Sequence, residues 1–118
     1  MQTDGRPLIL IVEDDAQIRG GMRRLLRSFG FRVIEAEDGD TGYALAARAD
    51  ELRAVVTDAE LPRLGDLLRR FATDAALRDV PLVVVDAEAE ALAVPHDVKI
   101  LPDFESLAEF LNRSDGRG

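Results

Sequence analysis

The chain has 118 residues, enough for one domain with its own core. It contains no cysteine, which excludes a disulfide framework and any thiolate metal site. Its formal net charge of −8 opposes a face built for a phosphate backbone, and no apolar run reaches membrane-spanning length.

In chain order, short aliphatic runs alternate with helical patterns. The leading "MQTDGRP" has no signal-peptide hydrophobic region, so a cytoplasmic location is expected. "LILIV" (8–12) reads as a buried strand and runs directly into the acids Glu13, Asp14 and Asp15. In the helix that follows, "AQIRGGMRRLLRSFG", residues Ile18, Met22, Leu25, Leu26 and Phe29 fall on one stripe, and Gly30 is the stop. Asp15 suits the helix N-cap. The arginines of this segment read as a solvated helical face.

"FRVIEA" is a second strand, and "DGDTGYALAARA" a second helix with Tyr43, Ala46 and Ala47 facing inward. "RAVVTD" is a third strand ending in Asp58. The helix after it, "LGDLLRRFATDAAL", carries an apolar face of Leu64, Leu67, Leu68 and Phe71. "VPLVVVD" is a fourth strand, entered through Pro81 and ending in Asp86. "AEAEALAVPHD" has room for two helical turns at most before Pro95, and His96 within it reads as a surface side chain. "VKIL" is a short fifth strand. "DFESLAEFLNR" is a last helix with Leu107, Phe110 and Leu111 at helical spacing. The domain is expected to span 1–113, with 114–118 ("SDGRG") a tail or linker.

Continuous rather than alternating apolar strands, each separated by a helix, indicate a doubly wound α/β fold with a parallel sheet covered on both faces. In such sheets the ligand site lies beyond the carboxyl ends of the strands. Glu13, Asp14, Asp58 and Asp86 all end strands, so the fold is expected to gather acids there. Their repulsion calls for a metal ion, a lysine or a shared proton. Asp86 equally suits a helix N-cap, with Glu88 in the first turn.

Four segments carry a resemblance. "ILIVEDDAQIR", "GFRVIEAEDGDTGYAL", "AVVTDAELP" and "ALRDVPLVVV" stand in the order and at the distances seen in the receiver domain of bacterial two-component response regulators. The chain resembles that family over nearly its whole length. The resemblance implies a five-stranded sheet in the order 2-1-3-4-5. It implies Asp58 as phosphoacceptor for a histidine kinase or a small phosphodonor. It also implies Mg²⁺ held by Asp14 and Asp58, by Glu13 through a water, and by the backbone carbonyl of Glu60. Magnesium suits such a set because it takes few carboxylates and keeps several waters.

The chain also departs from the pattern. Asp86 stands where the family ends its fourth strand in Thr or Ser. Leu101, before Pro102, stands where it ends the fifth in Lys, and Val98 falls at the aromatic switch position. Lys99 could replace that lysine only if the strand were shifted by two residues. The stretch from Asp86 to Leu101 is short, so the fourth helix is expected to be reduced or missing. At ~5 Å and an effective dielectric of ~20, the extra anion at Asp86 costs about 3 kcal/mol against an acyl phosphate.

The expected function is therefore an atypical receiver, a pseudo-receiver that is not an enzyme. Its phosphorylation at Asp58 is impaired or absent, and its output is protein–protein contact. The alternatives are a conventional Mg²⁺-dependent receiver with labile Asp58 phosphorylation, or a ligand-sensing pseudo-receiver for a nucleotide. An aspartyl-phosphate hydrolase fits poorly, because Glu60 stands where that chemistry favours Asp. Expected partners are a histidine kinase or another signalling protein, with neither nucleic acid nor membrane bound by this domain; a homodimer is compatible.

Overall fold

The computed structural model describes residues 5–85, 98–101 and 103–113. The strands are β1 (Leu8–Val12), β2 (Arg32–Ala36), β3 (Leu52–Asp58), β4 (Leu82–Val85) and β5 (Val98–Leu101). The helices are α1 (Ala16–Ser28), α2 (Gly39–Arg48), α3 (Leu64–Thr73) and α4 (Phe104–Arg113). All strand pairings are parallel, in the order β2-β1-β3-β4-β5. The expected doubly wound sheet is present. The stretch between Asp86 and Val98, where the fourth helix is expected to be reduced or missing, lies outside the described residues, as do Asp86, Pro95, His96 and Pro102.

The strands alternate their side chains between two apolar layers, as a period of two requires. Leu10, Val12, Val55 and Val84 point to α2 and α3, where Ala46, Leu67, Leu68 and Phe71 complete one core. Ile9, Ile11, Val56 and Val83 point to α1 and α4, where Met22, Leu26, Leu107 and Leu111 complete the other. Because both faces are covered, β1 is buried at every position, which accounts for its unbroken aliphatic run.

Each early helix starts on an acid. The Asp15 carboxylate accepts from the N–H groups of Gln17 and Ile18 at 2.8 and 3.0 Å, capping α1. Asp38 caps α2 through the Thr41 N–H at 2.7 Å. α2 lies close on the sheet at Gly42, where a Cβ would stand 2.7 Å from the Cγ2 of Val12.

Two expectations about facing and one about a helix end need correction. Ile18 and Phe29 are exposed, at 39% and 48%, not buried on the α1 stripe. Ile18 sits in the first turn of α1, and Phe29 lies beyond its last residue as the C-cap, so both stand at the ends of the helix rather than on its buried middle. Ala47 is exposed, and Leu45 packs against the core in its place. The third helix ends at Thr73 rather than near Leu77, because the chain turns at Asp74, whose N–H and carbonyl both bond locally. Tyr43 is half-buried. Its ring meets Phe71 edge-on at 5.8 Å, Arg70 lies over its face at 4.2 Å, and its hydroxyl donates to Asp74.

Candidate functional site: an acidic cleft at the carboxyl edge of the sheet

The site begins where β1 stops. The Glu13 N–H donates to the Ala36 carbonyl of β2 at 3.0 Å, so the strand pairing holds the first acid in place. Its side chain is 2% exposed. Oε2 accepts from the Asp15 N–H at 2.9 Å, while Oε1 is buried with no hydrogen-bond partner. Burial, helped by contact with the Asp14 and Asp58 carboxyls and opposed by the Asp15 N–H, pushes the Glu13 carboxyl up to about 7.

Asp58 is the last residue of β3, in register with Val85 of β4, and is 9% exposed. Its Oδ1 accepts from the Glu60 N–H at 2.9 Å, and its carbonyl accepts from Leu61 N–H at 3.1 Å. These bonds turn the chain sharply, leaving Asp58 in the cleft and Glu60 on the loop beyond it. Asp14 and Glu60 are exposed.

The structure therefore brings Glu13 against both Asp14 and Asp58. Among the described residues, no group of three or more His, Asp or Glu side chains is arranged to hold a metal ion. A site of the Mg²⁺ kind needs fewer: one or two carboxylates, a carbonyl and waters. A buried carboxylate oxygen without a donor, beside acids that repel it, is what a bound cation would relieve. The residues fit a divalent ion.

The far side of the cleft is apolar. Leu101 ends β5 in register with Val85, is 7% exposed, and packs in the core layer of α1 and α4. Lys99 stands two residues earlier, opposite Val83, which is ~7 Å back along the strand. Its ammonium lies 5.7 Å from the centroid of Phe110 on α4. Lys99 does not take the place that Leu101 occupies. Val98 is buried in the opposite core layer, at 9% exposure.

One contributor was missed in the sequence. Arg19, one turn into α1, donates from Nη1 to the Glu13 carbonyl at 2.7 Å, and its Nε lies 3.4 Å from Glu35 of β2. Arg23 donates to both oxygens of Glu35 at 3.0 Å. The signal was the i, i+4 spacing of Arg19 and Arg23 on a helix beside a strand carrying one acid.

Residues 9–98 match the family model of the response regulator receiver domain. The chain belongs to this family. Among curated receiver-domain relatives, it is 36% identical over 85 residues to the chemotaxis protein CheY-3 of Vibrio cholerae. That match covers 70% of this chain and 65% of the relative's length. Among solved structures, a receiver domain protein from Clostridium thermocellum matches with a TM-score of 0.78 at 20% identity, covering 94% of this chain and 95% of that one. The receiver domain of a Pseudomonas aeruginosa sensor histidine kinase matches equally well, with a TM-score of 0.78 at 23% identity, covering 92% and 97%. That neighbour has a magnesium ion coordinated in its active-site cleft. At these identities the two structures speak for the receiver fold alone. The receiver family works in two-component signalling, and among the described residues no helix is long and apolar enough to cross a membrane.

Proposed function

We propose that this receiver is atypical, a signalling module rather than an enzyme, in which phosphorylation of Asp58 is impaired or absent and the output is contact with another protein. The observation that carries the reading is Leu101. It ends β5 as a buried aliphatic in register with Val85, the strand position where the resemblance calls for a lysine. An ammonium there would pair with the acceptor and with the acyl phosphate; Leu101 does neither. Lys99, two residues earlier on the same face of β5, is held over the Phe110 ring of α4. Asp86, on the sequence pattern, adds an anion where a hydroxyl is expected.

The remaining residues keep a recognisable role. Asp14, Asp58 and the Glu60 carbonyl would hold Mg²⁺, with Glu13 acting through a water. When bound, the ion supplies counter-charge to the acids and to an incoming phosphoryl group. Asp58 is the oxygen nucleophile, and the Glu60 N–H bonded to its Oδ1 orients that carboxylate. Glu13 and Arg19 hold the turn that carries Asp14. We assign the receiver to 1–113 and a tail or linker to 114–118, in the cytoplasm, facing a histidine kinase or another signalling protein.

A conventional receiver with short-lived Asp58 phosphorylation is the second reading, favoured by the retained pairing of Glu13 with Asp58 in the cleft. Intact mass after incubation with Mg²⁺ and acetyl phosphate separates the two. The atypical reading expects slow or undetectable addition in the wild type. It also expects a gain in the double variant Asp86→Thr with Leu101→Lys. Rapid, near-stoichiometric addition that Asp58→Asn abolishes establishes the conventional one.

A further inference from the structure

β2 ends the sheet. It is hydrogen-bonded to β1, and among the described residues no strand pairs with its outer edge. An uncovered edge is a template for another strand. Two open concavities run along it. One, at the amino end, is lined by Arg27, Phe31, Arg32 and Ile34 among others; the second, at the carboxyl end, by Arg19, Glu35, Glu37 and Thr41.

The charges on this edge are polarised. On α1, Arg19, Arg23 and Arg27 follow one another at four-residue spacing along the side of the helix that overhangs β2. The first two are taken up by Glu35. Arg27 is exposed, and neither it nor Arg32 has an acidic partner among the described residues; the Arg32 Nε donates only to the Arg6 carbonyl, at 2.9 Å. At the other end Glu37 is exposed and likewise without a basic partner among them. The edge is thus positive where β2 begins and negative just past where it ends.

We propose that a second copy of this chain docks here, β2 against β2 and antiparallel, to form a ten-stranded sheet. A two-fold axis through the middle of β2 sets each copy's Arg27–Arg32 end against the other's Glu37 end. A parallel approach would set like against like. Such an interface is self-complementary, and it fills the free backbone donors and acceptors of the edge. It also covers the half-buried Val33 and Ile34. With each chain at a net −8, two copies repel at a distance, so association depends on this local pairing. The carboxyl edges of the two sheets point in opposite directions, leaving both Asp58 clefts open. β5 and α4 lie at the far ends of the assembly.

Sedimentation equilibrium over a wide concentration range tests this. The wild type should dimerise reversibly. Arg27→Glu alone and Glu37→Arg alone should each weaken self-association by about tenfold or more, since each turns two symmetric attractions into repulsions. An equimolar mixture of the two variants should form heterodimers, because both contacts become attractive again. The double variant should recover the wild-type affinity for the same reason. A wild type that stays monomeric, or a dimer indifferent to both reversals and to their mixture, overturns the proposal.

Discussion

The guanidinium of Arg19, one turn into α1, closes a 2.7 Å hydrogen bond onto the carbonyl oxygen of Glu13, the residue that follows β1. The same side chain reaches Glu35 on β2, so a single residue ties helix, acidic turn and edge strand together. A hydrogen bond from a charged donor, here part-buried, contributes about 1.5–3 kcal/mol. Arg19→Ala should lower unfolding stability by about that amount and weaken Mg²⁺ binding with it. Arg19→Lys should recover only part of both, since an ammonium cannot span two acceptors in fixed directions. Chemical denaturation with and without Mg²⁺ provides the measurement.

Glu13 sets the pH dependence of the metal-free protein. Its folded pKa of about 7 lies above the ordinary 4.5, so between those values the folded state holds a proton that the unfolded state has released. Stability then falls as pH rises, with the contribution complete below about 4.5 and lost above about 7. The full effect is at most about 3 kcal/mol. Thermal melts in chelator should decline across this window, and Glu13→Gln should flatten the decline. Saturating Mg²⁺ should flatten it as well, since a cation favours the charged acid.

Mass action gives a third expectation. If Asp14 and Asp58 bind Mg²⁺, the melting temperature should climb as its concentration passes the dissociation constant. Asp58→Asn should blunt that climb, and Lys99→Met should leave it unchanged, because Lys99 is held over Phe110 and away from the cleft.

Two glycines with opposite surroundings test the packing of the helices. A methyl group at Gly42 would stand 2.7 Å from the Cγ2 of Val12, so Gly42→Ala should cost about 1–3 kcal/mol by pushing α2 off the sheet. At Gly21 of α1 the nearest atom is an Arg24 guanidinium nitrogen at 4.0 Å. Gly21→Ala should therefore stabilise the protein by about 1 kcal/mol through helix propensity alone. Urea midpoints of the two variants should move in opposite directions.

The order of strands and helices was legible in the sequence because unbroken runs such as Leu8–Val12 can only be buried on both sides, and Leu64, Leu67, Leu68 and Phe71 mark one helical face. The acids were legible too, since Glu13 and Asp58 end strands and a parallel sheet gathers strand ends at one edge. Sequence periodicity could not tell that Ile18 and Phe29 stay in water, because a stripe records angle around the helix and not how near its ends a residue falls. Nor could it assign Arg19 to the Glu13 carbonyl, a contact between a side chain and backbone six residues apart. Only the pairing of β4 with β5 decided that Leu101, and not Lys99, ends the last strand beside Val85. Register between strands is set by tertiary packing, and a shift of two residues leaves the pattern of faces unchanged.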